Sequence, residues 1–275
     1  MTARIGMVNF INTAPLYVIW QQRVKRADWL VTEGAPTTLN RMLCDNELDL
    51  GFVSSHEYAA HPQLYRILED ISISASGPVG SVFLFSRVAP DQLTDCDVQL
   101  SSQSQTSVAL VKIVLEEFYR VAPRYLAGQV SPLPVATALP SAVLAIGDEA
   151  LRLKTKGEYP FCLDLGEIWQ QHTGLPFVFA VWAVREEFFS LNAQCVSDIR
   201  RELLACIRQG KEELYEVCRR VAPRIPMPVD SCYRYLCGIE YDLAPRKMQA
   251  LTLFFDFLIK RGDVPAEALP VKLCK

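Results

Sequence analysis

The sequence predicts an α/β protein built as two lobes, and three observations lead to that prediction. Residues 4–53 alternate strand-like and helix-like segments in the order βαβαβ, which is typical of a parallel sheet with right-handed crossovers. A further α/β unit follows over residues 98–146. Residues 177–184 then form an unbroken apolar run, FVFAVWAV, preceded by glycine and proline. Such a run predicts a strand buried on both faces, through which the chain returns to the first lobe.

The elements of the first unit follow from local signals. Residues 4–10 are strand-like, and Asn12 with Thr13 and Pro15 indicates a helix start, with polar N-cap candidates and proline in the first turn. Strands are expected at 29–32 and 48–53, separated by a helix that starts at Pro36. Ser54 and Ser55 directly follow the third strand.

Later segments complete the second unit and the C-terminal part. Strands are expected at 81–86, 98–101 and 142–146, and a polar stretch leads into a helix at 108–119. Gly174 with Pro176 ends the helix that precedes the apolar run. The chain is helical from Cys195 onward; Ser197 and Asp198 are expected to cap a helix that Gly210 interrupts or bends.

We expect a bilobal fold in which residues 1–87 and 186–275 form lobe 1 and residues 88–185 form lobe 2. Two crossing strands, at 81–87 and 177–184, would act as a hinge, and the cleft between the lobes is the expected ligand site. The alternative is one continuous doubly wound sheet, in which ligands bind at the carboxyl ends of the strands.

Composition argues against several classes of partner and cofactor. The net charge is -3, without the clustered basic surface that nucleic-acid binding needs. Neither a secretory signal nor an apolar stretch of about 18–20 residues is found, so we expect a cytoplasmic protein without a membrane partner. The nine cysteines form no CxxC pair, and His56 and His61 are five residues apart. We therefore expect free thiols, no metal and no cofactor.

Polar residues where strands end and helices begin are the candidate ligand contacts, because helix N-termini offer free N–H groups and a partial positive charge. The substrate-binding candidates are Ser55, Ser104, Gln105, Thr106, Ser107, Gly147 and Asp148, together with Thr173 and Gly174 in the turn before the apolar run. Each of them can also serve only to cap or end a helix. The pattern alone therefore indicates a bilobal protein that binds a small anionic ligand.

Five blocks of sequence, in order from residue 4 to about 185, resemble the chorismate dehydratases. They are RIGMVNFINTAPLY, LDLGFVSSHEYA, SGPVGSVFLFSR, IGDEAL and DLGEIWQQHTGLPFVFAVWAVR. The resemblance implies the type II periplasmic-binding-protein fold. It also implies a carbon–oxygen lyase that converts chorismate to 3-[(1-carboxyvinyl)oxy]benzoate and water, in the futalosine route to menaquinone.

Two catalytic residues are implied by the same resemblance. Asn12 matches the family's active-site asparagine, and Ser81 matches the serine of its GPV-x-S motif. We expect Asn12 to position the leaving hydroxyl or a carboxylate, and Ser81 to hydrogen-bond the substrate. Ser104, Thr106 and Ser107 are the expected carboxylate cradle, with Gln105 beside them. Asp148 is the one candidate for a protein base in the cleft, or else a hydrogen-bond acceptor between lobes.

The reaction itself needs neither a metal nor a redox cofactor, because aromatisation of the ring supplies the driving force. The protein must bind two carboxylates, stabilise negative charge that grows on the ring carboxylate and assist departure of hydroxide. The enolpyruvyl carboxylate of the substrate is a candidate proton acceptor.

Three alternatives remain open at this point. The chain can be the sibling enzyme that makes 1,4-dihydroxy-6-naphthoate on the same fold, a non-catalytic protein that binds small anions, or an interaction protein without activity.

Overall fold

The structure is a computed structural model that describes residues 2–127, 140–225 and 227–275. Its fold is α/β, as predicted. The strands are β1 (Ala3–Val8), β2 (Trp29–Gly34), β3 (Leu50–Ser54), β4 (Tyr65–Ala75), β5 (Val82–Ser86), β6 (Asp97–Leu100), β7 (Arg124–Ala127), β8 (Ala142–Ile146), β9 (Phe161–Asp164), β10 (Phe177–Arg185) and β11 (Leu273–Cys274). The helices are α1 (Ala14–Arg23), α2 (Pro36–Cys44), α3 (Ser55–Ala60), α4 (Gln105–Ile113), α5 (Gly147–Lys156), α6 (Leu165–Thr173), α7 (Glu186–Glu212), α8 (Leu214–Val221), α9 (Val229–Cys237) and α10 (Pro245–Arg261). None of these helices is both long and apolar enough to cross a membrane.

The strands form two separate sheets, which confirms the bilobal prediction over the single continuous sheet. The six-stranded sheet has the order β11-β4-β10-β3-β1-β2, and the five-stranded sheet has the order β7-β6-β8-β5-β9. The βαβαβ start is parallel as predicted, since β1 pairs in parallel with both β2 and β3. The intervening α1 and α2 are the crossover helices that such pairing requires.

Strand β10 lies inside the six-stranded sheet and is buried along most of its length, as its unbroken apolar run predicts. It is antiparallel to both neighbours, so that Val181 faces Val53 on β3 and Ser72 on β4. Trp182 packs edge-on against Phe52, with ring centroids 4.7 Å apart. This strand therefore belongs to the core of the first sheet.

The predicted lobe boundaries need one correction at each crossing. Strand β5 pairs with β8 and β9 in the five-stranded sheet, although it was assigned to lobe 1. Strand β10 pairs in the six-stranded sheet, although it was assigned to lobe 2. The chain thus crosses in residues 76–81 and 165–176, and the strands that flank these segments are fully paired on either side. A hinge at these crossings stays a prediction.

An aromatic cluster at the second crossing joins three elements. The indole of Trp169 on α6 donates a hydrogen bond to the carbonyl of Pro176 at 3.0 Å. The same ring packs edge-on against Phe177 of β10 and Phe254 of α10, with centroids 5.1 and 6.2 Å away. Buried aromatic pairs of this kind add about 0.5–1.5 kcal/mol each beyond their area. The C-terminal helix α10 is thereby packed against the first sheet.

Helix α7 differs from the prediction in two details, the expected cap at Ser197 and Asp198 and the expected interruption at Gly210. It runs from Glu186 to Glu212 without a cap at Ser197 or Asp198, and its one non-helical residue is Asn192, with φ -141° and ψ 33°. Gly210 does not interrupt it. A Cβ at Gly210 would lie 1.9 Å from the carbonyl oxygen of Pro15, so the glycine permits close packing of α7 against α1.

Candidate functional site

A cleft lies between the two sheets. Strand ends of both sheets, and the segments that directly follow them, form its walls. The lining residues are Val8, Phe10, Asn12, Thr13, Pro36, Phe52, Val53, Ser54, Ile73, Val79, Ser81, Val82, Ser104, Ser107, Ile146, Gly147, Phe179 and Ala180. This is the position that the bilobal prediction gives for a ligand.

Five predicted site residues meet in this cleft although they are far apart in the sequence: Asn12, Ser81, Ser104, Ser107 and Gly147. Six other predicted residues are not among those that line it: Ser55, Gln105, Thr106, Asp148, Thr173 and Gly174. Both residues expected to be catalytic are in the first group.

Asn12 lies in a short 3-10 turn, Ile11–Thr13, between β1 and α1. Its backbone carbonyl accepts a hydrogen bond from the Tyr241 hydroxyl at 2.8 Å, which holds the turn. Its side-chain Oδ1 is buried and has no hydrogen-bond partner among the described residues. A buried, unpaired amide oxygen costs free energy unless a ligand or water completes it. The Asn12 side chain is therefore not a helix cap, and it is available for a ligand.

Ser81 is buried at the start of β5. Its Oγ accepts a hydrogen bond from the Tyr235 hydroxyl at 2.9 Å, and its carbonyl accepts one from the Gly147 N–H at 2.7 Å. Burial raises the pKa of Tyr235, so the phenol stays neutral and keeps its proton for this bond. With one lone pair occupied, the Ser81 hydroxyl can still donate to a ligand in the cleft.

The loop before Ser81 is held by the carboxylate of Asp164. Its Oδ1 accepts from the Val79 N–H at 3.0 Å and its Oδ2 from the Gly80 N–H at 2.7 Å. The same side chain caps α6 by accepting from Gly166 and Glu167. Burial raises the pKa of Asp164, while these four backbone N–H groups act in the opposite direction. One carboxylate therefore binds both crossings between the sheets.

The start of α4 faces the cleft through two hydroxyl residues. The Ser104 Oγ accepts from the Ser107 N–H at 3.2 Å, so Ser104 is the N-cap of this helix. Ser104 and Ser107 both line the cleft, where the partial positive charge of a helix N-terminus favours an anion. These two residues fit the predicted carboxylate cradle.

The other two members of the predicted cradle are not among the residues that line the cleft, and their contact with a ligand stays a prediction. Thr106 is buried, and its Oγ1 accepts from the His56 N–H at 2.9 Å. Gln105 Oε1 accepts from the Asn40 side chain at 3.2 Å, and Gln105 lines a neighbouring cavity with His56. Successive residues of a helix face different directions, so a run of four cannot all reach one cleft.

Ser55 is not among the residues that line the cleft, and its contact with a ligand stays a prediction. Its hydroxyl is buried and donates to the Val178 carbonyl at 2.7 Å, which fixes α3 to β10. The preceding Ser54 lines the cleft instead, and its Oγ accepts from the Glu57 N–H at 3.2 Å. Because β3 is buried on both faces, its pattern did not indicate which serine would face the ligand.

Asp148 does not line the cleft, whereas its neighbour Gly147 does. The Oδ1 of Asp148 accepts a long hydrogen bond, 3.5 Å, from the Ile11 N–H. Ile11 follows a strand of one sheet and Asp148 begins a helix beside the other. This contact joins the segment after β1 to the start of α5, and both predicted roles of Asp148 stay predictions.

Thr173 and Gly174 end α6 and are not among the residues that line the cleft. Their contact with a ligand stays a prediction. The Thr173 hydroxyl donates back to the Trp169 carbonyl at 2.7 Å. Gly174 has a positive φ of 70° as the helix C-cap, and its carbonyl accepts from Arg246 at 2.8 Å. Both residues are occupied in ending the helix.

None of the described residues that line the cleft is charged, and none is a histidine or cysteine. The polar groups are hydroxyls, one amide and helix N-termini, set among aromatic and aliphatic side chains. The walls thus offer neutral hydrogen-bond donors to an anion but no protein base. Phe10, Phe52 and Phe179 contribute an apolar surface that is suited to a ring.

Sequence reasoning missed the two tyrosines that support the predicted catalytic residues. Tyr235 lies on α9 and Tyr241 follows it, more than 150 positions beyond Ser81 and more than 200 beyond Asn12. Both hydroxyls are buried and each reaches one of these residues. The helical C-terminal region had offered no local motif that would indicate such contacts.

The two sheets with a cleft between them have the fold of the periplasmic-binding-protein class, as solved structures of that class show. The periplasmic aliphatic sulphonate binding protein of Escherichia coli is similar, with TM-score 0.66 and 11% identity, covering 97% of this chain and 94% of that one. A solved protein from Archaeoglobus fulgidus has TM-score 0.78 and 18% identity, covering 96% of this chain and 98% of that one. At these identities the likeness concerns the fold alone.

The family follows from sequence comparison. A family model described as menaquinone biosynthesis matches residues 3–260. A chorismate dehydratase from Thermus thermophilus is 33% identical over 271 residues, which cover 92% of this chain and 94% of that protein. The chain belongs to this menaquinone biosynthesis family, which confirms the resemblance found in the sequence.

Replacing Asp164 by asparagine should destabilise the protein by about 2–3 kcal/mol, because the amide NH₂ would face backbone N–H donors that now meet a carboxylate oxygen. The measurement is the free energy of unfolding in urea. Asp91→Asn is the matched control, since Asp91 is exposed. Equal stability of the two variants, within about 0.5 kcal/mol, would show that the four hydrogen bonds are not needed.

Proposed function

We propose that this protein is a hydro-lyase that removes water from chorismate to give 3-[(1-carboxyvinyl)oxy]benzoate, as a step of the futalosine route to menaquinone. The observation that carries the proposal is the meeting of Asn12 and Ser81 in one uncharged cleft, with the Asn12 Oδ1 left without a partner. Family membership and the Thermus thermophilus relative support the same reaction.

The first chemical step is loss of the proton from the ring carbon that bears the enolpyruvyl ether. The electron pair of this C–H bond delocalises towards the ring carboxylate and forms a dienolate. Ser81 and the N-terminus of α4, through Ser104 and Ser107, donate hydrogen bonds to the oxygens on which this charge grows. Donors fixed in an apolar cleft stabilise such charge better than water does, because they need no reorganisation.

The second step expels the neighbouring hydroxyl group and makes the ring aromatic. Asn12 positions this hydroxyl, because its buried and unpartnered Oδ1 accepts a hydrogen bond from the hydroxyl O–H. The enolpyruvyl carboxylate takes the ring proton in the first step and returns it to the departing hydroxide, so the products are the benzoate and one water. We assign the proton acceptor to the substrate because no base is found among the described lining residues.

Variants of the two residues test this function. Ser81→Ala should lower kcat about 100-fold, the typical effect of removing one donor to a developing oxyanion. Asn12→Asp should lower activity by at least that much, because a carboxylate would repel the dianionic substrate. The measurement is loss of the chorismate diene absorbance, with the product identified by NMR.

The control for this pair is Ser190→Ala, which removes an exposed hydroxyl of α7. Wild-type protein that leaves fresh chorismate unchanged, yet binds it, would favour the anion-binding alternative. Full activity in both cleft variants would contradict the assigned roles.

Tyr235→Phe tests the support of Ser81. Loss of one hydrogen bond of about 1 kcal/mol should reduce kcat roughly 5- to 10-fold, with little change in KM. Tyr233→Phe is the matched control on the same helix, because Tyr233 is exposed and lies outside the cleft. An equal loss in the two variants would point to a general effect on α9.

The pH dependence tests the assignment of the base. Both substrate carboxylates are ionised above about pH 6, so kcat should be constant from about pH 6 to pH 8. A change of kcat with pH in this interval would contradict the assignment of the base to the substrate. It would indicate that a side chain of the protein titrates during the reaction. His56 would be the first to examine, since it lines the neighbouring cavity that meets the cleft at Ser104.

A further inference from the structure

Three side chains with metal-binding atoms converge outside the cleft. Cys44 ends α2, Glu57 lies on α3, and His61 directly follows α3. The thiol sulfur, a carboxylate oxygen and an imidazole nitrogen all lie within 4.8 Å of one another. The cysteine and histidine spacings of the sequence gave no sign of this group, because its members come from two helices and include a carboxylate.

Glu57 and His61 are spaced as two ligands on one helical face. Their separation by four residues brings Glu57 Oε1 and His61 Nε2 to 3.7 Å. In tetrahedral zinc sites with bonds of about 2.0–2.3 Å, ligand atoms are about 3.5 Å apart. The Glu57 and His61 atoms already have about that separation, and the Cys44 sulfur lies within 4.8 Å of both as a third ligand.

The surroundings also resemble those of a metal site. The Glu57 side chain is 5% exposed, so its charge is held away from water, whereas His61 is 42% exposed and leaves a path from solvent. The Tyr65 hydroxyl donates to Glu57 Oε1 at 3.2 Å, the same oxygen that faces His61, and so orients the carboxylate. Such outer hydrogen bonds are regular features of protein metal sites.

We propose that Cys44, Glu57 and His61 form a zinc-binding site, with water as the fourth ligand. Thiolate, imidazole and carboxylate are the ligands that zinc prefers. Binding deprotonates the Cys44 thiol and releases that proton to solvent, and the thiolate and carboxylate then balance the charge of Zn²⁺. The metal would join the end of α2 to α3, which starts beside Ser54 at the cleft.

Cobalt serves as the probe, because Co²⁺ occupies zinc sites and absorbs light when a thiolate binds it. Titration of the reduced, full-length protein should produce a thiolate-to-cobalt charge-transfer band that saturates at one equivalent, and Zn²⁺ should abolish it. Cys44→Ser should remove the band, and His61→Ala should weaken binding at least about 10-fold. Zn²⁺ should also raise the Tm of the wild type in a saturable manner.

Matched controls separate this site from the other thiols. Cys162→Ser and His172→Ala change exposed residues elsewhere and should leave the band unchanged. The proposal is overturned if wild-type protein gives no charge-transfer band, or if Cys44→Ser retains it. The wild-type titration decides this even where a variant fails to fold, and neither result depends on the dehydration reaction.

Discussion

Asp164 binds both segments in which the chain passes between the two sheets, and the cleft depends on this contact. Its carboxylate accepts from Val79 and Gly80 in the first crossing and from Gly166 and Glu167 in the second. The crossings also touch directly, since a Cβ at Gly166 would lie 2.8 Å from the carbonyl oxygen of residue 77. One buried side chain therefore sets the position of the loop that leads into the five-stranded sheet. The same side chain thereby sets the position of the cleft wall that carries Ser81, the serine expected to be catalytic.

The chemistry proposed for the cleft follows from what surrounds that wall. Neutral hydrogen-bond donors suit a dicarboxylate substrate whose negative charge shifts during the reaction. Fixed dipoles in an apolar cavity can stabilise the charge distribution of the transition state more than that of the substrate. Tyr235 and Tyr241 each hold one of the two predicted catalytic positions, although they lie in the C-terminal region. The segment from α9 to Tyr241 therefore supports both residues of the proposed active site.

Much of the fold could be predicted because its signals are local. The parallel βαβαβ start and the buried strand β10 follow from apolar periodicity and from glycine and proline positions. The lobe boundaries were wrong by one strand at each crossing, because an apolar run does not reveal the sheet in which it pairs. Within the site, Ser54 and Ser55 could not be told apart, since β3 is buried on both faces. The contacts of Tyr235 and Tyr241 depend on tertiary packing and have no local signal at all.

A crystal structure of the protein with bound product would show whether the cleft between the sheets is where chorismate is dehydrated. We expect 3-[(1-carboxyvinyl)oxy]benzoate in the cleft, with one carboxylate within hydrogen-bond distance of the Ser81 hydroxyl and the ring against Phe179. The Asn12 side chain should contact the ligand and no longer lack a partner. Product bound at any other surface, with the cleft filled only by water, would show that the cleft is not the site of the reaction.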